Sequence, residues 1–314
     1  MHMADALLST PVALAMLGLS AAALAGAGRS LRRQPDDRRV PLMGVLGAFV
    51  FALQMVNFAI PGTGASGHLG GGLLLAILLG PAAALVTLSS VLVVQALCFG
   101  DGGLLALGAN FFNLGVLPCL VVYPLVYRPL AGMQAGARPG LRQPLAAVVA
   151  ALVALQLGAL GVVLQTGVSG ISGLPMAHFA ALMLPIHAAI GLAEGLATAA
   201  LLRFLQHSAP EWLPAPDTSA TPRHAPQRHM IRRSAAATLF TAVVLSAMAS
   251  PLPDGLEWSL AQAGGPAPAV AETEALPASL AGLLGSGLTL LALGGVALAL
   301  RRWGTTTQAP ARSE

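Results

Sequence analysis

The chain has 314 residues, of which 56% are hydrophobic and 9% are charged, with a mean hydropathy of +0.77. A water-soluble domain carries about 25% charged residues, so this chain lacks the polar surface to face water on all sides. All 16 of its basic residues are arginine, and the lack of lysine excludes a Walker A phosphate loop and Schiff-base chemistry.

The first apolar run, 6–28, has the small residues of a signal peptide but no basic residue ahead of it. Arg29, Arg32, Arg33, Arg38 and Arg39 follow it instead. The positive-inside rule then puts the start of the chain outside and this loop in the cytoplasm, so the run reads as a retained first helix. The arginines fall in four clusters, at 29–39, 128–142, 203–233 and 301–312. If all four are cytoplasmic, an even number of crossings separates any two. Residues 40–60 supply one crossing, so 72–127 must supply an odd number. One helix cannot use that much apolar chain; three short or broken segments are expected, with breaks at Pro81 and at the turn Gly100-Asp101-Gly102-Gly103. Residues 145–165 and 176–204 complete a bundle of seven, the last bent at Pro185.

Beyond it, 206–233 is rich in proline and arginine and reads as a cytoplasmic linker. Its histidines, His207, His224 and His229, have no ligand spacing. Two more spans, 234–250 and 279–300, flank an external segment carrying Asp254, Glu257, Glu272 and Glu274. Asp254-Gly255 reads as a turn at a helix end, and Trp258 and Trp303 as interfacial aromatics. The expected fold is an all-α membrane protein: a seven-helix bundle (1–205), a linker (206–233), a two-helix accessory domain (234–304) and a cytoplasmic tail (305–314). No internal repeat is evident, which weighs against inverted-repeat transporters. The pI near 10.0 therefore reports topology, and no nucleic-acid partner is expected.

This topology brings Met1-His2 to the same side as the loop 61–72, PGTGASGHLGGG, in which six glycines surround His68. Such glycine density lets backbone approach a ligand closely. An uncleaved Met1 offers an α-amine, and His2 adds a backbone nitrogen and an imidazole that wrap an ion in fused rings. The bulky second residue should preserve Met1. One more imidazole, such as that of His68, closes a four-nitrogen plane, which suits Ni(II) or Cu(II); Zn(II) prefers a tetrahedron. Cu(II) would bind more strongly still, so cellular availability must exclude it. On spacing alone, the alternative is an exposed terminus.

Asn57, Gln95, Asp101 and Asn110 are read either as groups that orient these ligands or as hydrogen-bonding glue of the bundle. His187 and Glu194 lie two turns apart on one face of a span. They read as a packing pair bonded to neighbours such as Gln156 or Gln165, or else as a proton relay. His178 is a candidate for the entry path or an interfacial residue, and Cys98 and Cys119 read as buried thiols.

Several blocks carry a family resemblance. The start, MHMADALLS, together with PGTGASGHLGGGLLLAILLGP (61–81), QALCFGDGGLLALGANFFNLG (95–115) and PIHAAIGLAEGL (185–196), resembles the nickel/cobalt substrate-binding subunits of energy-coupling factor transporters. SPLPDGLEWSL (250–260) resembles the PDGLE accessory domain often fused behind that subunit. Ala4 and Ala6 depart from the Pro and Gly of the family pattern. The resemblance implies metal ligation by the amine of Met1, the amide and imidazole of His2, and the imidazole of His68. It further implies a non-catalytic subunit of the bacterial inner membrane, N-terminus external and C-terminus cytoplasmic, working with a transmembrane coupling subunit and cytoplasmic ABC ATPases. Ni(II) is the expected substrate, since the GTGASGHLGG loop looks closer to the nickel-type members; Co(II) is the alternative. A proton-coupled secondary transporter using His187 and Glu194 is the alternative of another class. A metallo-enzyme would need an HExxH pair or a catalytic carboxylate beside the metal; the sequence has no HExxH, and no such carboxylate is expected in the external loop.

Overall fold

The computed structural model describes residues 2–33, 36, 39–132, 140–208, 210, 213, 227–265 and 278–305. Five of its helices are long and apolar enough to cross a membrane: α1 (Thr10–Arg33), α4 (Pro81–Phe99), α5 (Leu107–Ala131), α6 (Arg142–Ser169) and α7 (Met176–Ser208). Three shorter apolar stretches lie in α2 (Arg39–Gln54), in α8 (Gln227–Phe240) with the turns that continue it, and in α10 (Ala278–Thr305). With α3 (Gly72–Leu79) these are the apolar segments expected from the sequence, and the protein is an all-α membrane protein. A two-stranded ribbon, β1 (Phe58–Ala59) against β2 (Ser66–Gly67), and the short helix α9 (Gly255–Gln262) complete the described elements.

The stretch 72–127 breaks where its residues require. Gly80, at φ 81°, ends α3, and Pro81 begins α4 at a position that needs no backbone donor. Gly100, at φ 65°, ends α4. Eight residues of α3 rise about 12 Å, well short of the ~30 Å hydrocarbon core. Every residue of α3 is buried, so protein surrounds the half-helix, the setting in which chain ends are tolerated at membrane depth. In α5, Phe111–Tyr127 winds in the wider π manner through Pro118 and Pro124.

Leu75, Leu85, Leu88 and Phe51 form part of the interior, while Leu14, Leu125, Val168 and Leu291 are exposed. The apolar outer surface belongs against lipid. In α6 and α7 the backbones approach closely at Gly191 and Gly195, which face Leu152 and Val148. The C-terminal helix α10 lies along α2, where Ser286 Oγ donates to the carbonyl of Ala48 at 3.0 Å. Of the two thiols expected to be buried, only Cys119 is; Cys98 is exposed on the outer side of α4. A thiol is apolar enough for lipid contact.

Candidate metal site

Residues 2–8 run into the bundle rather than away from it. Met3, Leu7 and Leu8 are buried, and polar clamps hold the segment. Met3 N–H donates to Asn110 Oδ1 at 2.8 Å, while Asn110 Nδ2 and the N–H of Gly103 donate to the Met3 carbonyl at 3.2 and 2.9 Å. Asp5 Oδ1 accepts from the N–H of Ala106 at 3.0 Å. The turn after α4 is thus more than a helix break. At Gly102, φ is 90°, and a Cβ there would meet Asn110 Nδ2 at 2.8 Å and His2 Cβ at 3.4 Å. Only glycine lets this turn cradle the N-terminal segment.

These clamps place His2 beside His68. The rings are near-parallel, 12° apart in plane, with centroids separated by 5.3 Å. With metal–nitrogen bonds of about 2.0–2.1 Å, an imidazole centroid lies about 3.2 Å from an ion it ligates. Two rings on one ion therefore have centroids at most about 6.4 Å apart, and the observed spacing falls inside that limit. The His2 side chain is 5% exposed, and its Nδ1 lies 3.2 Å from Asp101 Oδ1. Burial pushes the His2 pKa down, against the pull of the Asp101 carboxylate. Burial also pushes His68 well below the ordinary imidazole range, and the His2 ring adds to the effect. Both imidazoles are neutral near pH 7, the form that ligates metal.

In the neutral His2 ring, Nδ1–H donates to Asp101, which leaves the lone pair on Nε2. That atom is buried without a hydrogen-bond partner, as is Gln95 Oε1. The fused chelate expected from the sequence closes through Nδ1, the nitrogen nearer the backbone. In this structure the Asp101 carboxylate is the better partner for that atom, so the chelate requires the ring to turn away from Asp101. Met1 lies outside the described residues. Among the described residues no group of three or more His, Cys, Asp or Glu side chains could hold a metal ion. Two imidazoles fit a donor set that the main chain and an amine complete.

The loop bearing His68 is fixed from below. Glu194 in α7, 2% exposed, accepts from Gly70 N–H at 2.7 Å through Oε2 and from Gly71 N–H at 3.1 Å through Oε1. Gln54 Nε2 donates to the Gly70 carbonyl at 2.8 Å, and Gln95 Nε2 donates to Gln54 Oε1 at 2.7 Å. The expected bonds from His187 and Glu194 to Gln156 and Gln165 are not the ones made. Gln156 donates to the Leu184 carbonyl, and Gln165 exchanges hydrogen bonds with Asn113. His187 Nδ1 donates to the Met183 carbonyl at 2.8 Å, and its Nε2 is buried without a partner. His187 lines a cavity of about 10 Å³ together with His68, Gly67, Gly70 and Asp254. Asn57 bonds elsewhere: its backbone carbonyl accepts from Ser250 N–H at 2.7 Å.

Asp254 is the residue that sequence reasoning placed least well. It does more than turn the chain: it caps α9, Oδ1 accepting from Glu257 N–H at 2.8 Å while Glu257 Oε2 accepts from Asp254 N–H at 3.1 Å. Asp followed three residues later by Glu is a legible capping box; its position beside His68 is not. A second cavity, about 540 Å³ between Leu46, Phe204 and Arg233, offers no histidine, cysteine or carboxylate.

Residues 2–212 match the family described as CbiM, cobalt uptake substrate-specific transmembrane region. The chain belongs to this family. Residues 228–277 match the PDGLE domain. A metal transport protein of Haloquadratum walsbyi is 37% identical over 212 residues, covering 67% of this chain and 92% of the relative. A fused nickel transport protein of Archaeoglobus fulgidus is 35% identical over 211 residues, 67% of either chain. A fused nickel transport protein of Rhodobacter capsulatus is 34% identical over 214 residues, 64% of this chain and 59% of that protein. The crystal structure of a transition metal transporter superposes with a TM-score of 0.57 at 29% identity, covering 66% of this chain and 92% of the other. This member of the CbiM family is a multi-pass membrane protein of metal transport, carrying a PDGLE domain behind its transmembrane region.

Proposed function

We propose that this chain is the substrate-binding subunit of an energy-coupling factor importer, and that it captures Ni(II) from the external side for ATP-driven import. The observation that carries the reading is the pair of neutral, near-parallel rings of His2 and His68, 5.3 Å apart, at the clamped start of the chain. The amine of Met1 and the amide of His2 would complete four nitrogens, a set that favours a tetragonal ion. Gln95 would orient the turned His2 ring, Asp101 would supply a nearby counter-charge, and Asn110 would hold the main chain that follows His2. Relatives carrying the name nickel transport protein support nickel. Co(II) is the second reading, favoured by the family description and by a cobalt transport protein of Methanocorpusculum labreanum that is 34% identical over 185 residues.

Energy would come from partners. A chain without lysine has no phosphate loop of its own, so cytoplasmic ATPases and a transmembrane coupling subunit would drive the release of metal inward. The arginine clusters would keep both partners' side at the cytoplasm.

The test uses the full chain with its native start and a C-terminal tag. His2→Ala, His68→Ala and a one-residue extension ahead of Met1 should each weaken Ni(II) binding by more than about 100-fold, beyond the 10–100-fold typical of outer-shell partners. Calorimetry reads the affinity. Parent-like binding by all three moves the site elsewhere, and preference for Co(II) in direct competition selects the second reading.

A further inference from the structure

The accessory segment is bolted to the loop that carries His68. Ser66 N–H donates to the Pro253 carbonyl at 2.8 Å, and Ser66 Oγ donates to the Leu252 carbonyl at 2.7 Å. Ser66 and Asp254 form a parallel bridge, and Ser250 N–H reaches the Asn57 carbonyl at the other end of the ribbon. Gly255 seats the start of α9 on α7, where a Cβ would meet Ile186 at 2.6 Å and His187 Cε1 at 3.2 Å. Asp254 therefore enters the small cavity beside His68 in a fixed pose, its carboxylate held by the helix cap.

Charge gives that pose a consequence. A divalent ion between His2 and His68, even with the His2 amide deprotonated, leaves net positive charge in a largely desolvated site, where an uncompensated charge is strongly disfavoured. On the His2 side the counter-charge is Asp101. Glu194, on the bundle side of the loop, is committed to the Gly70 and Gly71 amides. On the His68 side the carboxylate comes from the PDGLE segment.

Resting on the site reading above, we propose that the accessory domain supplies part of the metal site. Asp254 is a positioning and charge-compensating residue for His68, and Ni(II) is retained only while 250–257 is seated on the ribbon.

The test compares full-length chains. Asn and Ser cap helices as well as Asp does, so Asp254→Asn and Asp254→Ser remove the charge and keep α9. Glu257→Gln keeps the capping box and removes a neighbouring charge. Ser66→Ala loosens the seating without touching the cap. Both Asp254 variants should bind Ni(II) at least about ten-fold more weakly, with an unchanged visible spectrum of bound nickel and an unchanged melting midpoint of the metal-free protein. Ser66→Ala should release nickel faster, and Glu257→Gln should match the parent. Parent-like affinity in both Asp254 variants with parent-like release from Ser66→Ala overturns the proposal, as does equal weakening by Glu257→Gln. If His2→Ala and His68→Ala also bind like the parent, the site reading itself has failed; if they lose binding while the Asp254 variants keep it, only the role of Asp254 is rejected.

Discussion

His2 and His68 meet at the candidate metal site already deprotonated, because burial penalises the imidazolium form. Their pKa values lie below the ordinary ~6.5, so protons compete with metal at the rings only in more acidic solution. An α-amine ordinarily titrates at about 7.7–8.0, and ligation by the His2 amide nitrogen displaces one further proton. Ni(II) binding at pH 7 should therefore release about two protons per ion, and affinity should fall roughly 100-fold per pH unit between pH 7.5 and 6.5. In solution more acidic than the ordinary imidazole range, the slope should steepen as the imidazoles join. Calorimetry in buffers of different ionisation enthalpy counts these protons, and release of none near neutrality contradicts an amine-and-amide chelate. Residue type alone pointed to His2 and His68, since amine, amide and imidazole nitrogens in one dipeptide make a rare chelating set. Asp254 was not legible in this way, because 188 positions (254 − 66) separate it from Ser66, with which it forms a bridge.

At the scale of elements, the glycine loop has a rigid counterpart in α7. Two amides at consecutive glycines need two acceptor oxygens, and Glu194 supplies both. Glutamine at that position offers one carbonyl and turns an amino group on the second N–H. Glu194→Gln should cost about 1–3 kcal/mol of stability, the penalty of a buried unsatisfied donor, and weaken Ni(II) binding because His68 loses its support. Gly71→Ala should be worse: φ is 73°, and a Cβ would lie 2.6 Å from Val50 Cγ1. Thermal unfolding in detergent, read beside nickel titration, checks both. If Glu194→Gln leaves stability and binding unchanged, the carboxylate is not what holds the loop. The helix breaks in 72–127 were readable, because proline and left-handed glycine dictate them locally. The role of Glu194 was not, since its position on a helix face says nothing of which loop descends to meet it.

For the whole molecule, the proposed role is that of a receptor for metal rather than a conduit. No chain segment supplies a nucleotide-binding lysine, so purified protein in liposomes should bind Ni(II) yet fail to accumulate it under a proton gradient. Accumulation should appear when the coupling subunit and ATPases are added with ATP. Gradient-driven uptake by the isolated chain would instead favour the secondary-transporter alternative.

Composition, the arginine clusters and the Gly and Pro breaks determined by themselves that this is a multi-pass helical membrane protein, because membrane crossing depends on local hydropathy and the placement of charge. They also singled out the Met1-His2 dipeptide and the His68 loop as candidate ligands, since donor chemistry belongs to residue type. Only the tertiary structure decided how those pieces meet. The N-terminal segment turns inward onto Asn110 and Gly103, Glu194 grips the loop from beneath, and Asp254 arrives from the accessory domain. Each of these contacts joins residues 100 or more positions apart, and their pairing depends on packed helices rather than on any local pattern.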